Sequence, residues 1–180
     1  AAIAACERAG QWRGAVALLQ RMRRARVGFT SEGNASYFPA IIAASQAGKP
    51  YLAATLYDEG VAAGAIAVPP RTLPGSILDL HGLAAEVAKA AVLSELQRAA
   101  CATGPRGPEG DLVLIVGRGL GSGEAGVRVG PAVAQMLQQR LPGQTAVCVE
   151  TSNPGRLRVP VAALQLLLAR LRKEDQDRGD

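Results

Sequence analysis

The chain has 180 residues, 48% hydrophobic but only 3% aromatic, with a net charge of +5. One medium or two small domains fit this length, and any core must be built mainly from Ala, Leu and Val. No apolar run approaches the ~18 residues of a bilayer span. Cys6, Cys101 and Cys148 are odd in number and far apart, against a disulfide framework or a structural zinc site.

From residue 1 the chain reads as helices, and the helices repeat. Ala2-Ile3-Ala4-Ala5 matches Ala40-Ile41-Ile42-Ala43, and Ala9-Gly10 matches Ala47-Gly48. Ala15 and Leu18 match Ala53 and Leu56, and every pair keeps the offset that separates Ala2 from Ala40. Repeats of ~34–40 residues belong to helix-turn-helix solenoids. In the second unit Asn34 is expected to cap a helix running to about Ala47. Gly48 ends it and Pro50 opens its partner. The counterpart of Asn34 would precede residue 1. The chain is therefore expected to open inside a helix, the natural protein to extend further N-terminally, and any targeting segment to lie outside this sequence.

Charge is concentrated here. Residues 1–75 hold 8 Lys/Arg against 4 Asp/Glu, whereas residues 76–180 hold 12 against 11. Arg21, Arg23, Arg24 and Arg26 cluster at the end of one repeat helix, where they can meet phosphates or simply complement the helix dipole.

Three prolines and a glycine between Val68 and Gly75 predict a stiff linker. The expected division is 1–66 for the hairpins, 67–75 for the linker, 76–173 for a second domain and 174–180 for a solvated tail. The second domain reads as a strand at 77–80, a helix at 83–101 and a buried strand at 112–116. A helix at 131–141, strands at 145–149 and 156–159, and a helix at 161–173 complete it. This is a β-α-β-α-β-β-α layered domain behind about two helical hairpins, an α + α/β chain. Arg170, Arg172 and Lys173 would complement the dipole of the last helix.

Two segments can carry chemistry. In Leu78-Asp79-Leu80-His81-Gly82, strand periodicity puts Asp79 and the chain's sole histidine, His81, on one face. An aspartate there can orient the imidazole; the pair can equally be a turn with satisfied polar groups. The second is the loop after the strand ending at Val116, with Gly117, Arg118, Gly119, Gly121 and Gly123. Its amides can form an anion nest with Arg118 adding charge. Residues 121–126 also spell GxGxxG, with Glu150 about 24 residues later. The motif starts five residues beyond its strand, and Gly130-Pro131 separates it from the next expected helix, which disfavours a dinucleotide site. No Walker loop is present.

The repeat pattern resembles the pentatricopeptide repeat family. The segments 78–82 and 117–119, with Asn153-Pro154-Gly155-Arg156-Leu157, resemble in order the Smr (small MutS-related) domain. Repeats followed by Smr look like the repeat–Smr proteins of plant and algal organelles. The resemblance implies RNA binding in a plastid or mitochondrion, with nuclease activity in some members. It places Asp79 and His81 as candidate catalytic residues. Gly117, Arg118, Gly119 and Gly121 become phosphate-binding, and a Mg2+ ion would be needed only if the site is catalytic. Family members commonly carry Thr where this chain has Val116. Base-reading family members carry a polar residue where Phe38 follows Tyr37; Phe38 can stack but cannot read a base edge. Three functions follow as expectations. One is an RNA-binding protein with at most weak endonuclease activity. The others are a non-catalytic structural subunit of a large organellar assembly, such as a ribosome or photosynthetic complex, and a small-molecule binder using the glycine loop.

Overall fold

The computed structural model describes residues 2–25, 34–67, 77–102, 108, 110–117, 123–141, 147–150 and 152–179. They form seven helices and a four-stranded mixed sheet. The chain divides into two compact units, Ala1–Val68 and Pro69–Asp180. No described helix is long and apolar enough to cross a membrane.

The first unit holds α1 (Ala2–Arg8), α2 (Trp12–Arg24), α3 (Asn34–Gln46) and α4 (Pro50–Ala62). Both ends of α4 stand at the repeat offset from those of α2, and the end of α3 stands at the same offset from the end of α1. The turns match as well. Gly10 and Gly48 both take positive φ, 66° and 70°. Gly10 N donates to Glu7 O and Gln11 N to Cys6 O; correspondingly, Gly48 N donates to Ser45 O and Lys49 N to Ala44 O. These pairs satisfy carbonyls a helix end leaves open, and glycine takes the left-handed position without a Cβ clash. Pro50 opens α4, where its missing N–H costs little. Pro39 lies inside α3 and forgoes one helical bond. The core of the unit is Ile3, Ala15, Leu19, Tyr37, Ala40, Ile41, Ala53, Leu56 and Ile66. Small alanines let the helices approach closely.

The second unit runs β1 (Ile77–Asp79), α5 (Ala85–Ala102), β2 (Leu112–Ile115), α6 (Gly123–Arg140), β3 (Cys148–Glu150), β4 (Asn153–Val159) and α7 (Val161–Gly179). The sheet order is β1-β2-β4-β3, with β1 parallel to β2 and β4 antiparallel to both β2 and β3. Leu78, Leu80, Leu112, Leu114, Val116, Leu157 and Val159 are buried on one face. The other carries Ile77, Asp79, Val113, Ile115, Arg156 and Arg158, none of them buried. α5 packs against both α6 and α7.

Several expectations are corrected. β2 alternates between buried and half-buried residues, because one face of the sheet stays open, where a wholly buried strand was expected. The helix expected from residue 131 begins at Gly123 and carries Pro131 in its interior. An internal proline loses its bond to the carbonyl four residues earlier and crowds that carbonyl, a cost a long, well-packed helix can carry, so it need not start one. β4 begins at Asn153, three residues earlier than expected, and α7 continues to Gly179 through residues expected to be a tail. Arg170 and Arg172 are consequently not in the last turn of α7. Arg172 Nε donates to Ala100 O of α5 at 2.9 Å, and Arg170 donates to Arg140 O of α6 at 3.2 Å. They complete the C-terminal ends of neighbouring helices instead of their own.

Candidate functional site

β1 ends at Asp79, and the chain turns through His81 to Gly82, which takes φ 76°. Asp79 shapes that turn from its own side chain: its Oδ1 accepts from His81 N at 3.0 Å. The same oxygen lies 2.6 Å from His81 Nδ1. A carboxylate only accepts, so Nδ1 carries the proton, and in a neutral ring the lone pair falls on Nε2. The His81 side chain is 72% exposed and that of Asp79 28%. The imidazole is therefore held at one nitrogen and presented to solvent at the other.

Parallel pairing of β1 with β2 places Asp79 opposite Ile115, and Leu80 N donates to Ile115 O at 2.8 Å. Both strands thus end together. Gly117, two residues past β2, takes φ 78°, and a Cβ built there would lie 3.9 Å from His81 Cβ. The turn carrying His81 and the start of the glycine loop are in contact range. On the other side of β2, Ile115 pairs with Arg156, and Val116 N donates to Gly155 O at 2.8 Å. Asn153 Oδ1 accepts from Gly155 N at 3.2 Å and fixes that corner. The segments 79–82, 115–117 and 153–156 are therefore neighbours at one end of the sheet, where carboxyl ends of two parallel strands meet the amino end of β4.

Not every expected residue belongs to this place. Arg118, Gly119 and Gly121 lie outside the described residues, as does Arg26. Val116 is buried, and its Cγ2 lies 3.3 Å from where a Cβ on Gly130 of α6 would sit. Its side chain faces the core, so a hydroxyl at that position would not point toward His81. Arg21, Arg23, Arg24 and Phe38 belong to the first unit. Arg23 is bonded to Glu59 of α4, while Arg21 and Arg24 are exposed and Phe38 is half-buried.

One feature beyond the expected residues is the row of side chains on the open sheet face. Arg156 lies 3.8 Å from Glu150, and Arg158 lies 3.7 Å from Glu150 and 3.6 Å from Asp111. The alternation of Arg156, Leu157, Arg158 and Val159 was the available signal, but the acidic partners come from outside β4. Among the described residues, no three His, Cys, Asp or Glu side chains gather as a metal-binding group. The chain matches no protein-family model, no curated protein and no solved structure.

Proposed function

We propose that the chain is an RNA-binding protein of the organellar repeat–Smr kind, with the end of the sheet around His81 as its phosphate-handling site and with weak hydrolysis at most. The observation that carries the reading is the Asp79–His81 contact beside Gly117. An imidazole anchored through Nδ1 can accept a proton from water at Nε2, the task of a general base in phosphodiester cleavage. Amides of a glycine loop, with Arg118, would take the phosphate charge. Two further features support the kinship. The helix ends and turn bonds of the first unit recur at one constant offset, and the three Smr-like segments are adjacent.

A Mg2+ ion, if used, would be held by Asp79 with phosphate oxygens, a common arrangement for this cation. His81 already places two contacts on Asp79 Oδ1. The aspartate's role toward the histidine therefore stands without the ion.

A second reading is a non-catalytic structural subunit of a large plastid or mitochondrial assembly. It is favoured by Arg23, whose charge is taken up within the protein by Glu59, and by the half-buried Phe38. Purification of the endogenous protein after nuclease-free lysis separates the two. Bulk RNA supports the first reading; a stoichiometric protein assembly in which His81→Ala changes nothing supports the second.

A further inference from the structure

α2 differs from its counterpart α4 in charge. α2 contains Arg13, Arg21, Arg23 and Arg24 and no acidic residue. At the matching positions of the repeat, α4 has Tyr51, Glu59, Val61 and Ala62, with Asp58 standing where α2 has Gln20. A helix pair of this shape therefore does not require arginines there. Ala15, Val16 and Leu19 are buried, whereas Arg13, Ala17, Gln20, Arg21 and Arg24 are all exposed. Positions 13, 17, 20 and 24 follow the helical repeat and lie on one face, with Arg21 at its margin. Arg13 and Arg24 stand about 16 Å apart along the axis, from ~1.5 Å per residue. Between them lie Ala17 and Gln20, small or uncharged. Arg13 stacks over the Trp12 ring, 4.9 Å from its centroid, which restrains that guanidinium. Arg23 points elsewhere and is bonded to Glu59.

We infer that the outer face of α2, through Arg13, Arg21 and Arg24, is a docking strip for the phosphate backbone of RNA. Arginine matches phosphate oxygens with paired N–H donors, and exposed arginines keep that capacity. Other polyanions fit less well. Ala15, Val16 and Leu19 of α2 are buried and Trp12, Leu18 and Met22 half-buried, so the helix has no exposed apolar side to insert into a lipid surface. Apart from the half-buried Trp12 against Arg13, the strip offers no bulky apolar anchor of the kind that dominates protein–protein interfaces. The contact reads no sequence, since the only amide α2 holds beside the charges is Gln20 and the half-buried Trp12 ring is taken up by Arg13. The inference rests on the RNA-binding reading but not on the Asp79–His81 site.

The test uses the full chain and a fluorescein-labelled 20-nucleotide oligouridylate, titrated by anisotropy between 50 and 400 mM salt. The variants are R13Q/R21Q/R24Q, R23Q and H81A, with melting temperature as the folding control. Three lost phosphate contacts should lower the steepness of log affinity against log salt by about 2 and weaken binding roughly 10²-fold at 0.1 M salt. R23Q should change the slope little. An unchanged slope and affinity in the triple variant would overturn the inference. So would loss of binding to polyglutamate with oligouridylate binding intact, which would assign the strip to an acidic protein. If H81A alone abolishes RNA binding, the strip is wrong and the sheet-end site stands. If the unmodified chain binds no RNA, the RNA-binding reading fails and the strip with it.

Discussion

Arg172 and Ala100 are 72 residues apart, yet the guanidinium of Arg172 donates from Nε to the carbonyl of Ala100 at 2.9 Å. The carbonyls of a helix's last turn have no intrahelical donor, and Ala100 lies in the last turn of α5. A half-buried arginine from α7 supplies one, and its neighbour Arg170 does the same for Arg140 at the end of α6. Loss of a charge-assisted bond at a partly buried carbonyl costs about 1–2 kcal/mol. Arg172→Gln should lower the stability of the second unit by that amount in a urea titration, and Arg170→Gln, more exposed, by less. Equal and negligible effects would show that the two bonds do not hold α7 in place.

Asp111 acts at the other end of the same helix. Its Oδ1 accepts from Val161 N, the first residue of α7, at 2.8 Å. This is the task of an N-cap, performed here by a residue far earlier in the chain, next to β2. Asp111→Ala should destabilise the second unit by about 1 kcal/mol. Asp111→Asn, which keeps an accepting oxygen, should recover most of that loss. Circular dichroism melts of both variants decide the point.

These two contacts mark where sequence reading runs out. Gly48 and Pro50 were legible because each depends on local geometry, a left-handed turn and a helix start. Asp79 and His81 do meet, but β1 ends at Asp79, so a turn in which Asp79 Oδ1 accepts from His81 N brings them together, not the strand period of two that was expected. Arg23 with Glu59, Asp111 with Val161 and Arg172 with Ala100 depend on which elements become neighbours, and no local period encodes that. Gly130-Pro131 misled for the opposite reason, since a local breaker lies inside α6 once Gly130 packs against Val116. Antiparallel β4 was also hidden. Its alternation was readable, but its direction follows from the short connection after β3.

Gly60 of α4 faces Ile66 and Tyr37 with no room to spare. A Cβ there would come within 2.6 Å of Ile66 Cδ1, 2.9 Å of its Cγ1 and 3.0 Å of Tyr37 Cδ1. Alanine is the better helix former, by up to ~1 kcal/mol. Overpacking costs ~1–3 kcal/mol and should prevail. Gly60→Ala should therefore destabilise the first unit, and Ile66→Val in the same chain, which removes Cδ1, should relieve part of the loss. A stabilised Gly60→Ala variant would refute the packing argument.

Tyr37 is fully buried in the first unit. Burial pushes its phenol above the ordinary value of 10, Arg23 draws it back, and Glu59 adds to the rise. The folded state thus holds this proton more tightly than the unfolded chain. The stabilisation is complete below pH ~10 and is lost as the pH climbs through the raised folded value. Melting temperatures measured from pH 8 to 11.5 should fall beyond pH ~10, and Tyr37→Phe should flatten that fall. An equal alkaline slope in both proteins would mean that other groups cause it.

The imidazole of His81 is engaged at Nδ1 by Asp79 Oδ1 at 2.6 Å, and its side chain is exposed beside Gly117. If this end of the sheet cleaves RNA, His81→Ala should reduce the rate at least ~10²-fold with the melting temperature unchanged, because an exposed imidazole contributes little packing. Asp79→Asn should lower turnover more than RNA affinity. An amide can still accept from the ring or the turn amide, but it no longer stabilises the imidazolium that forms when Nε2 takes a proton. Val116→Thr should not raise the rate, since that side chain faces Gly130 in the core; it should cost stability by burying a hydroxyl. Single-turnover cleavage of a labelled RNA by the four proteins, at equal saturation, measures these effects. Undiminished cleavage by His81→Ala would remove the imidazole from the reaction, and no cleavage by any of the four would leave the Asp79–His81 pair as a turn-shaping contact alone.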